Sequence, residues 1–386
     1  MTNKKILLIS SNSSGRGGGE RYLVYLTEGL KQIDCDVHVL LSDFNYMDNW
    51  AEILSAKGSI IHRRSLLGLR HRPFRFIQSI RDKKQQRRIA EICKDINPDG
   101  ILVNQQYDED GLDYIMGALM AKVAPVAGTI HMPMTRTKNQ RPLGKLRGKF
   151  LEEWYNMNPY NIIFVSEGSQ KEFHDYYDIN YSTSIVNSGY IFPEMTNSNK
   201  LKKPEMWSDS IPIVGFIGQF SAQKNLRLLV DSWLKSLQKK QESYLLLVGD
   251  GEDRDSIKKR LLKQAPQDSW QITGWTNHPE DYLPLMDIYM MTSHFEGLPL
   301  ALIEAVGKGL PAIVTNFNGA TDVAKKAPWV RIVPDNQSES IALELQICLK
   351  GLSNLKQKAQ NGRKEFQNYF SVQRMAEDVL AVLGLK

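Results

Sequence analysis

Cysteine is scarce in this sequence, and long apolar runs are missing from it. The three cysteines, Cys35, Cys93 and Cys348, lie far apart and form no C-x-x-C or Cys/His pattern. This spacing argues against a disulfide framework and a zinc site, and it favours a reducing, cytoplasmic location. The N-terminal stretch MTNKKILLIS has too few apolar residues for a signal sequence or for the roughly 20 residues that span a bilayer. It predicts a first β-strand.

Length and composition indicate an ordinary folded protein. A chain of 386 residues exceeds one typical core and fits two domains of roughly 150 to 200 residues each. Hydrophobic residues make up 42% and charged residues 24%, which argues against extensive disorder and against a fibrous repeat. We therefore expect two globular domains, each with its own core.

The net charge of +6 is modest, but the positive charges are concentrated. Residues 63–88 contain ten lysines and arginines and one acid, Asp82, and a second basic stretch, RTKNQRPLGKLRGK, starts at Arg136. Such clusters fit a solvated helix face, an anionic membrane surface or an anionic acceptor. Nucleic acid is not an expected partner, because no recognition helix, zinc-finger spacing or RNP-like motif accompanies the charge.

Short apolar runs alternate with helical stretches in both halves of the chain. Apolar strands separated by helices are typical of parallel sheets covered on both faces. Two such series predict an α/β protein with two doubly wound, Rossmann-like domains. The runs are KILLIS, VHVLL, GILVN, VAPVAGTIH and NIIFVS in the first half, and IPIVGFIG, SYLLLVGD, WQITG, IYMMTS, PAIVT and RIVP in the second.

A polar, proline-punctuated stretch marks the domain boundary. Residues 193–210 are interpreted as a linker between an N-terminal domain, 1–192, and a C-terminal domain, 211–370. Residues 371–386 carry an apolar stripe with a 3.6-residue period, which predicts a terminal helix.

Ligands of open α/β sheets bind beyond the carboxyl ends of the strands, so the loops there are candidate sites. The loop after the first strand, SSNSSGRGGGE, precedes a predicted helix near Glu20, whose free N–H groups would attract an anion. It resembles a dinucleotide loop, but Glu20 stands where the third glycine of G-x-G-x-x-G belongs. An NAD-dependent oxidoreductase is therefore kept only as an alternative.

Three glycine-bearing loops follow strands of the second half. Gly218 ends one strand, and Lys224 follows six residues later at the predicted start of a helix, where its ammonium group could neutralise a diphosphate. Gly249 in LLVGDGE and Gly274 in ITGWTN could frame a base and a ribose. Taken singly, each of these loops is a weak signal.

The stretch HFEGLPLALIEA places two glutamates eight positions apart. It predicts a helix from Pro299 to Lys308, with Glu296 in the preceding loop and Glu304 inside the helix. A charged carboxylate in an apolar stripe is costly unless it is paired or hydrogen-bonded. The two could hold a polyhydroxyl ligand while loop amides hold its phosphate, or Glu304 could pair with a structural lysine or face solvent.

In combination, FEGLPLALIEA, GQFSAQKN, VGDGE and GGGE resemble glycosyltransferase family 4, the retaining, nucleotide-sugar-dependent enzymes. The resemblance covers nearly the whole chain in the right order. It implies the GT-B fold, in which two Rossmann-like domains face each other across a cleft and the terminal helix, 371–386, packs back on the first domain. It also implies a nucleotide-sugar donor, a glycan or lipid-linked acceptor, and a role in polysaccharide or glycolipid biosynthesis.

The resemblance assigns roles around the two glutamates. Glu304 would hold the ribose hydroxyls, and Glu296 would contact hydroxyls of the donor sugar. The backbone of Gly297 and Leu298 would bind the phosphates.

The resemblance also assigns the glycine loops. Lys224 would stabilise the leaving diphosphate beside Gly218, and Gly249 would lie near the donor. The family usually has arginine directly after the first of these glycines, whereas this chain has Gln219. One of two expected cations is therefore missing.

In the first half, the resemblance implies that the glycine turn ending in Gly18 and Gly19 closes over the diphosphate. His131, at the end of a predicted strand, would touch the sugar. Ser166 and residues 187–189 also match family positions.

The resemblance implies a same-face substitution in which the leaving phosphate helps to deprotonate the acceptor. We assign no side chain as a nucleophile and expect no metal or other cofactor. The D-x-D spacing of Asp108–Asp110 is interpreted as chance.

Two alternatives share the fold: a nucleotide-sugar epimerase, and a non-enzymatic nucleotide-sugar-binding protein, which Gln219 makes possible. For residues 63–88 we expect either peripheral contact with an anionic inner membrane face or a solvated surface. Neither the nucleotide nor the sugar, the acceptor or the linkage is predicted.

Overall fold

The structure is a computed structural model that describes residues 3–11, 18–68, 71, 75–133, 144–192, 201–238 and 242–386. The chain divides into two compact units. Unit 1 comprises Met1–Ile191 and Phe370–Lys386, and unit 2 comprises Phe192–Tyr369. Each unit has its own parallel sheet.

Unit 1 is built around seven parallel strands in the order β3-β2-β1-β4-β5-β6-β7. The strands are β1 Lys5–Ser10, β2 Asp36–Ser42, β3 Ile60–Arg64, β4 Gly100–Tyr107, β5 Val126–Met132, β6 Asn161–Phe164 and β7 Ser184–Ile185. The helices are α1 Gly18–Gln32, α2 Asp48–Ala56, α3 Arg75–Arg81, α4 Lys83–Ile96, α5 Leu112–Ala121, α6 Gly144–Met157 and α7 Glu167–His174. A single 3-10 turn, Asn45–Met47, precedes α2.

The sheet of unit 1 is buried on both faces, as its apolar strands predict. Leu7 and Ile9 of β1 belong to one buried cluster, and Ile6 and Leu8 belong to another. Because successive side chains of a strand point to opposite faces, the two clusters lie on the two sides of the sheet. This arrangement is the doubly wound architecture.

Unit 2 repeats the pattern with six parallel strands in the order β10-β9-β8-β11-β12-β13. The strands are β8 Ile213–Ile217, β9 Tyr244–Val248, β10 Trp270–Ile272, β11 Ile288–Met291, β12 Ala312–Thr315 and β13 Val330–Val333. The helices are α8 Leu226–Gln238, α9 Arg254–Gln264, α10 Leu300–Gly307, α11 Ala320–Lys326, α12 Ser338–Lys350 and α13 Leu352–Tyr369. A 3-10 segment, Pro279–Leu285, precedes β11.

The last helix, α14 (Val372–Val382), belongs to unit 1 and packs on α1. Its buried side chains Met375, Ala376 and Val379 join the same apolar cluster as Leu23 and Leu26 of α1. The two backbones approach so closely at Gly29 that an added Cβ would lie 2.0 Å from the carbonyl oxygen of Val372. Glycine is therefore required at this position.

The predicted α/β class with two doubly wound sheets is confirmed, and all eleven predicted strands are present. Strands β3 and β7 are additional: β3 has only two apolar residues, followed by a histidine and two arginines, and β7 has only two residues. No helix among the described residues is both long enough and apolar enough to cross a bilayer.

The predicted linker, 193–210, is only partly described, since residues 193–200 lie outside the described ranges. Residues 201–210 belong to unit 2. Trp207 is buried there, stacks on Tyr244 with ring centroids 4.5 Å apart, and donates a hydrogen bond from Nε1 to the carbonyl oxygen of Asp268 at 2.7 Å. The polar composition of residues 193–210 gave no indication that Trp207 packs in unit 2.

Candidate functional site

The strand order of each unit reverses at one point. In unit 1, β1 lies between β2 and β4: the strands that precede β4 in the chain lie on one side of β1, and the strands from β4 onward lie on the other. In unit 2, β8 lies between β9 and β11 in the same way. Loops that leave adjacent strands in opposite directions open a crevice, where open α/β sheets bind ligands. The predicted site residues lie beside these two points, in the loops, at the strand ends or in the helices that follow.

In unit 2, side chains and backbone tie two of these loops together. The backbone N–H of His294 donates to the carbonyl oxygen of Gln223 at 2.8 Å, and Nε2 of Gln223 donates back to the carbonyl oxygen of Phe295 at 3.0 Å. Oγ1 of Thr292 donates to the carbonyl oxygen of Asn225 at 3.0 Å. The loop after β8 and the loop after β11 are thus held in one arrangement.

This cross-linking brings Lys224 and Glu296 into an ion pair. Both side chains are largely shielded, with 19% and 9% of their surface exposed. The free-energy cost of removing two such charges from water is compensated only when each charge keeps its partner. The pair therefore places a cation and a carboxylate next to each other at the switch point of unit 2.

Glu304 lies in α10, the helix that follows the loop of Glu296. This helix begins at Leu300, with Pro299 as its N-cap, and ends at Gly307. The carboxylate is buried at 5% exposure. Burial, and then the nearby charge of Glu304, raise the pKa of Tyr289 well above its ordinary value, so this phenol remains protonated. Its hydroxyl donates to the carbonyl oxygen of Ile217 at 3.1 Å.

Close backbone approaches require glycine at Gly249, a predicted donor-binding residue, and at Gly319, which was not predicted. A Cβ on Gly249 would lie 1.9 Å from the carbonyl oxygen of Gly218. The carbonyl oxygen of Gly297 and the Cα of Leu298 leave no room for a side chain on Gly319, where an added Cβ would lie 2.4 Å and 2.8 Å from them. These close approaches fix the loop shapes on which any backbone binding of phosphate depends.

Gln219 is exposed at the end of β8. Its neutral amide follows Gly218, the position where the resemblance leads us to expect arginine. The cation that the structure does bring to Glu296 is Lys224.

In unit 1, three residues from three elements form a connected chain of hydrogen bonds. Nδ2 of Asn104 in β4 donates to the carbonyl oxygen of Gly19 at 3.0 Å, and Oδ1 of the same amide lies 2.8 Å from Nε2 of His131 in β5. Gly18 and Gly19 form the start of α1. Gly17, the first residue of the predicted glycine turn, lies outside the described ranges.

His131 is buried, and burial lowers its pKa to about 4, so the ring is neutral near pH 7. The ring of Tyr22 meets it edge to face, with centroids 4.9 Å apart. Burial raises the pKa of Tyr22 to about 12, and its hydroxyl lies 3.3 Å from Oγ1 of Thr129. Two neutral aromatic rings therefore line the carboxyl end of β5.

Asp110, the second acid of the D-x-D spacing that was interpreted as chance, is fully buried. Its Oδ2 accepts hydrogen bonds from Oγ of Ser11 and from the backbone N–H of Gln106, and its Oδ1 has no hydrogen-bonding partner among the described residues. Burial raises its pKa to about 7. Its neighbour Asp108 instead accepts a hydrogen bond from the hydroxyl of Tyr177 at 2.6 Å.

Asp108 and Asp110, the two acids of the D-x-D spacing, therefore belong to separate hydrogen-bond networks. Within the described ranges, no group of three His, Cys, Asp or Glu side chains is placed to hold a metal ion. The signal that could have drawn attention to Asp110 is its place just beyond β4, next to the switch point.

The remaining family-like positions have structural contacts. Oγ of Ser166 caps α7 by accepting from the backbone N–H of Ser169 at 3.1 Å. Asn187 donates from Nδ2 to the carbonyl oxygen of Val165 at 2.8 Å, and its own carbonyl oxygen accepts from Arg374 of α14 at 2.6 Å. These hydrogen bonds cap α7 and connect the segment after β7 to Val165 and to α14.

The described part of the basic segment 63–88 includes several exposed cations on two helices. The apolar and amide side chains of α4, such as Ile89 and Gln86, are buried, while its lysines and arginines are exposed. Among the described side chains of α3 and the first half of α4, the exposed cations are Arg81, Lys83, Lys84, Arg87 and Arg88. Much of the second basic stretch, up to residue 143, lies outside the described ranges.

Both halves of the chain match families of known proteins. Residues 16–189 match the family model described as Glycosyltransferase Family 4, and residues 197–365 match the one described as Glycosyl transferases group 1. The first match covers α1, Asn104 and His131, and the second covers Lys224, Glu296 and Glu304.

Individual relatives match shorter segments. A protein described as Amylovoran biosynthesis glycosyltransferase AmsD, from Erwinia amylovora, is 34% identical over 30% of this chain and 32% of its own length. A protein described as UDP-Gal:alpha-D-GlcNAc-diphosphoundecaprenol alpha-1,3-galactosyltransferase, from Escherichia coli, is 35% identical over 22% of each chain. The chain thus spans about a third of the length of one relative and less of the other.

A solved structure resembles the whole chain. The crystal structure of Anabaena Alr3699/HepE in complex with UDP and glucose aligns with a TM-score of 0.72 and 16% identity over 99% of this chain and 100% of its own. At this identity the likeness establishes the fold.

Proposed function

The chain belongs to the GT-B glycosyltransferases of the family 4 type, and on this premise we propose that it transfers a sugar from a nucleotide-sugar donor to a glycan or lipid-linked acceptor. The observation that carries the proposal is the pairing of Lys224 with Glu296 at the switch point of unit 2. A nucleotide sugar presents a diphosphate next to hydroxyls, so a cation beside a carboxylate suits it.

Lys224 acts on the leaving group in this proposal. Negative charge develops on the diphosphate as its bond to the anomeric carbon breaks, and a fixed ammonium group stabilises that charge. The backbone of Gly297 and Leu298 binds the phosphates, and Glu304 binds the ribose hydroxyls. Because Gln219 adds no second cation, Lys224 carries most of this stabilisation.

The substitution retains the anomeric configuration. The acceptor hydroxyl attacks from the face that the diphosphate leaves, a phosphate oxygen takes the hydroxyl proton, and the new glycosidic bond forms as the old bond breaks. No side chain serves as a nucleophile. In this scheme the ammonium group of Lys224 and hydrogen bonds from backbone N–H groups stabilise the leaving diphosphate, so no metal is required.

Unit 1 supplies the acceptor side and one contact to the sugar through His131. Gly18 and Gly19 offer backbone N–H groups at the first turn of α1, where a phosphate would be stabilised. Since HepE is described in complex with UDP and glucose, uridine diphosphate sugars are the first donors to test.

The acceptor that we propose is carried on a lipid at the cytoplasmic face of a membrane. One relative is described as acting on a diphosphoundecaprenol-linked sugar, and the exposed cations of α3 and α4 suit an anionic lipid surface. Sedimentation with phosphatidylglycerol vesicles at low salt tests this, with phosphatidylcholine vesicles for comparison. Changing Lys83 and Lys84 to glutamine should weaken sedimentation more than the same change at the exposed Lys258 and Lys259 of α9.

A thermal-shift screen of uridine, guanosine and adenosine diphosphate sugars tests the donor, because a ligand that binds only the folded state raises Tm. Product analysis with and without acceptor then tests transfer. A changed sugar without acceptor would indicate epimerisation, and tight binding without any turnover would indicate a binding protein. Either result would overturn the proposed transfer.

A further inference from the structure

Three aromatic rings meet in unit 1 where β2 and β3 end. Phe44 and Tyr46 follow β2, and His71 follows β3. The three ring planes lie within 17° of one another. The centroid of Phe44 is 4.3 Å from that of His71 and 5.6 Å from that of Tyr46, and the centroids of Tyr46 and His71 are 6.2 Å apart. We call these three residues the ring platform.

The distances show that the ring platform has two layers. Parallel rings stack about 3.5 Å apart, so two rings on opposite faces of Phe44 would have centroids at least about 7 Å apart. Because Tyr46 and His71 are closer than this, both lie on the same face of Phe44. Phe44 is therefore the lower layer, and the other two rings form a flat upper layer. Tyr46 is 39% exposed although Phe44 covers one of its faces.

Hydrogen bonds hold the ring platform in place. Nη2 of Arg63 in β3 donates to the carbonyl oxygen of Phe44 at 3.1 Å. The backbone N–H of Gly68 donates to Nδ1 of His71 at 3.1 Å, and Nε2 of this ring lies 3.5 Å from the hydroxyl of Tyr46. Side chains that are positioned before a ligand arrives lose little conformational entropy when it binds.

A flat, partly exposed aromatic surface suits the ring of a sugar. One face of a pyranose such as glucose or galactose carries C–H groups, which are apolar and slightly positive, whereas the face of an aromatic ring is apolar and negative. Stacking the two removes apolar surface from water, while the sugar hydroxyls stay hydrated at the ring edge. The exposed amide of Asn45, between Phe44 and Tyr46 in the chain, adds a hydrogen-bonding group.

The ring platform lies at the same edge of the sheet as the start of α1. The strand order β3-β2-β1 places it on the two strands beside the switch point, and Gly18 begins the helix that follows β1. Adjacent strands are about 4.8 Å apart, so the ends of β2 and β3 are roughly 5 and 10 Å from the end of β1. One or two linked sugars span such a distance.

We propose that Phe44, Tyr46 and His71 form an acceptor subsite, which binds a pyranose ring of the glycan one or two units away from the hydroxyl that reacts. The upper layer, Tyr46 and His71, stacks on the sugar, and Phe44 supports it. That the bound sugar belongs to an acceptor rests on the proposed function, whereas the stacking of a sugar ring does not.

Saturation-transfer NMR with the full chain and no donor tests the stacking. The probes are cellobiose, lactose and N,N′-diacetylchitobiose, with sorbitol as the control, since sorbitol carries similar hydroxyls but no fixed ring face. We expect transfer to the C–H protons of at least one disaccharide and little to sorbitol. The proposal is wrong if none of the three receives saturation, or if sorbitol receives as much as they do.

Substitutions at Tyr46 test whether its ring is the binding surface. Tyr46→Ala should raise the Kd of the disaccharide that binds by about tenfold, whereas Tyr46→Phe keeps the ring and should stay within about threefold of the parent. Phe150→Ala, at an exposed aromatic position of α6 in the same unit, is the matched control. An unchanged Kd in Tyr46→Ala would refute the subsite. A loss in Tyr46→Phe as large as in Tyr46→Ala would assign binding to the hydroxyl and refute the stacking.

Two further measurements test whether the occupant is the acceptor. The rise in Tm that a sugar donor causes should be equal in the parent and in Tyr46→Ala, and a smaller rise in the variant would place the rings at the donor instead. Sedimentation with phosphatidylglycerol vesicles should also be equal. Its loss in Tyr46→Ala, with disaccharide binding unchanged, would assign the rings to a lipid surface and contradict the subsite.

The subsite and the proposed function can fail separately. If disaccharides bind through Tyr46 but no sugar is ever transferred, the stacking stands and the proposed transfer fails. If transfer occurs, but its KM for the acceptor is the same in Tyr46→Ala and no disaccharide binds, the subsite fails and the proposed transfer stands.

Discussion

Lys224 and Glu296 lie 72 positions apart in the chain and form an ion pair in unit 2. Each follows a different strand, β8 for the lysine and β11 for the glutamate, and these strands are neighbours in the sheet. Because Glu296 accepts from the ammonium group of Lys224, a diphosphate that binds Lys224 must share this group with Glu296 or displace the carboxylate. Donor binding is thereby connected to the stability of the loops.

Substitutions in this pair should separate stability from function. Lys224→Met leaves a buried carboxylate without its partner, and we expect a loss of about 3 kcal/mol in the free energy of unfolding. Glu296→Gln should cost less, because the ammonium group of Lys224 is the more exposed of the two. The double variant should lose less than the sum, with a coupling of about 1–3 kcal/mol in urea unfolding.

Glycosyl transfer should respond differently from stability. Lys224→Met and the double variant should lose about a hundredfold or more in kcat, because no ammonium group is left to stabilise the departing diphosphate. Glu296→Gln keeps that group but should also lose activity, because the carboxylate that positions Lys224 is gone. Recovery of activity together with stability in the double variant would show that the pair has only a structural role.

Gln223 should matter for donor affinity more than for stability. Gln223→Ala removes the hydrogen bond from Nε2 to the carbonyl oxygen of Phe295 and so loosens the loop that carries Glu296. We expect a stability loss of about 1 kcal/mol and a clear rise in KM for the donor. Gln264→Ala, at an exposed position of α9, is the matched control, and an equal KM in both variants would contradict the positioning role.

Restoring a cation at position 219 should strengthen diphosphate binding. A charge near an exposed site contributes about 1 kcal/mol at 4 Å in water, so Gln219→Arg should bind inorganic pyrophosphate about fivefold more tightly at low salt. Gln219→Glu should weaken binding by a similar factor, and both effects should fade as salt is raised. Titration calorimetry measures this, and equal affinities across the charge series would place Gln219 away from the phosphates.

The stability of unit 1 should depend on pH through Asp110. Its pKa is raised from 3.8 to about 7 in the folded chain by burial. Between these values the folded state keeps a proton that the unfolded state loses, so the free energy of unfolding falls as pH rises from about 4 to about 7, and the contribution levels off above that.

Asp110→Asn should remove this dependence. Relative to the variant, the parent protein should lose about 3 kcal/mol between pH 5 and pH 8. Urea unfolding at the two pH values measures the difference, and Asp43→Asn, at an exposed position, controls for general charge effects. Parallel pH profiles of the parent and Asp110→Asn would show that Asp110 is already ionised in the folded state.

Gly29→Ala should destabilise unit 1 although alanine favours helices. The added methyl would collide with the backbone of Val372, so α14 must shift away from α1. We expect a loss of about 2 kcal/mol, against a gain of about 1 kcal/mol from helix propensity alone. Gly18→Ala has no heavy atom within 4 Å of its Cβ and should leave the urea midpoint unchanged or raise it. A stabilised Gly29→Ala would contradict the close packing.

Local sequence patterns predicted the strands well where the strands are apolar on both faces. The run in β1 is buried throughout apart from Lys5, and its prediction from KILLIS was correct. Strand β3 was missed because its residues Ile60–Arg64 are only partly buried and end in two arginines. A strand at the margin of a sheet lacks the continuous apolar signature on which the prediction depended.

The candidate residues were also named from the sequence, but their partners were not. Glu296 was expected to touch a sugar, and the structure shows that it also pairs with Lys224, which the sequence did not predict. Asn104 was not named, because it belongs to no motif, and Asp110 was named only as part of a D-x-D spacing interpreted as chance. The importance of both comes from burial beside other elements.

The sequence alone therefore determined the elements, the α/β class and the loops in which chemistry is concentrated, since hydrophobic periodicity and turn residues act over a few positions of the chain. Only the tertiary structure decided which loops meet and that Lys224 pairs with Glu296. Those outcomes depend on strand order and on the loss of water around buried polar groups. Both bring together residues that are many positions apart, and no local pattern records them.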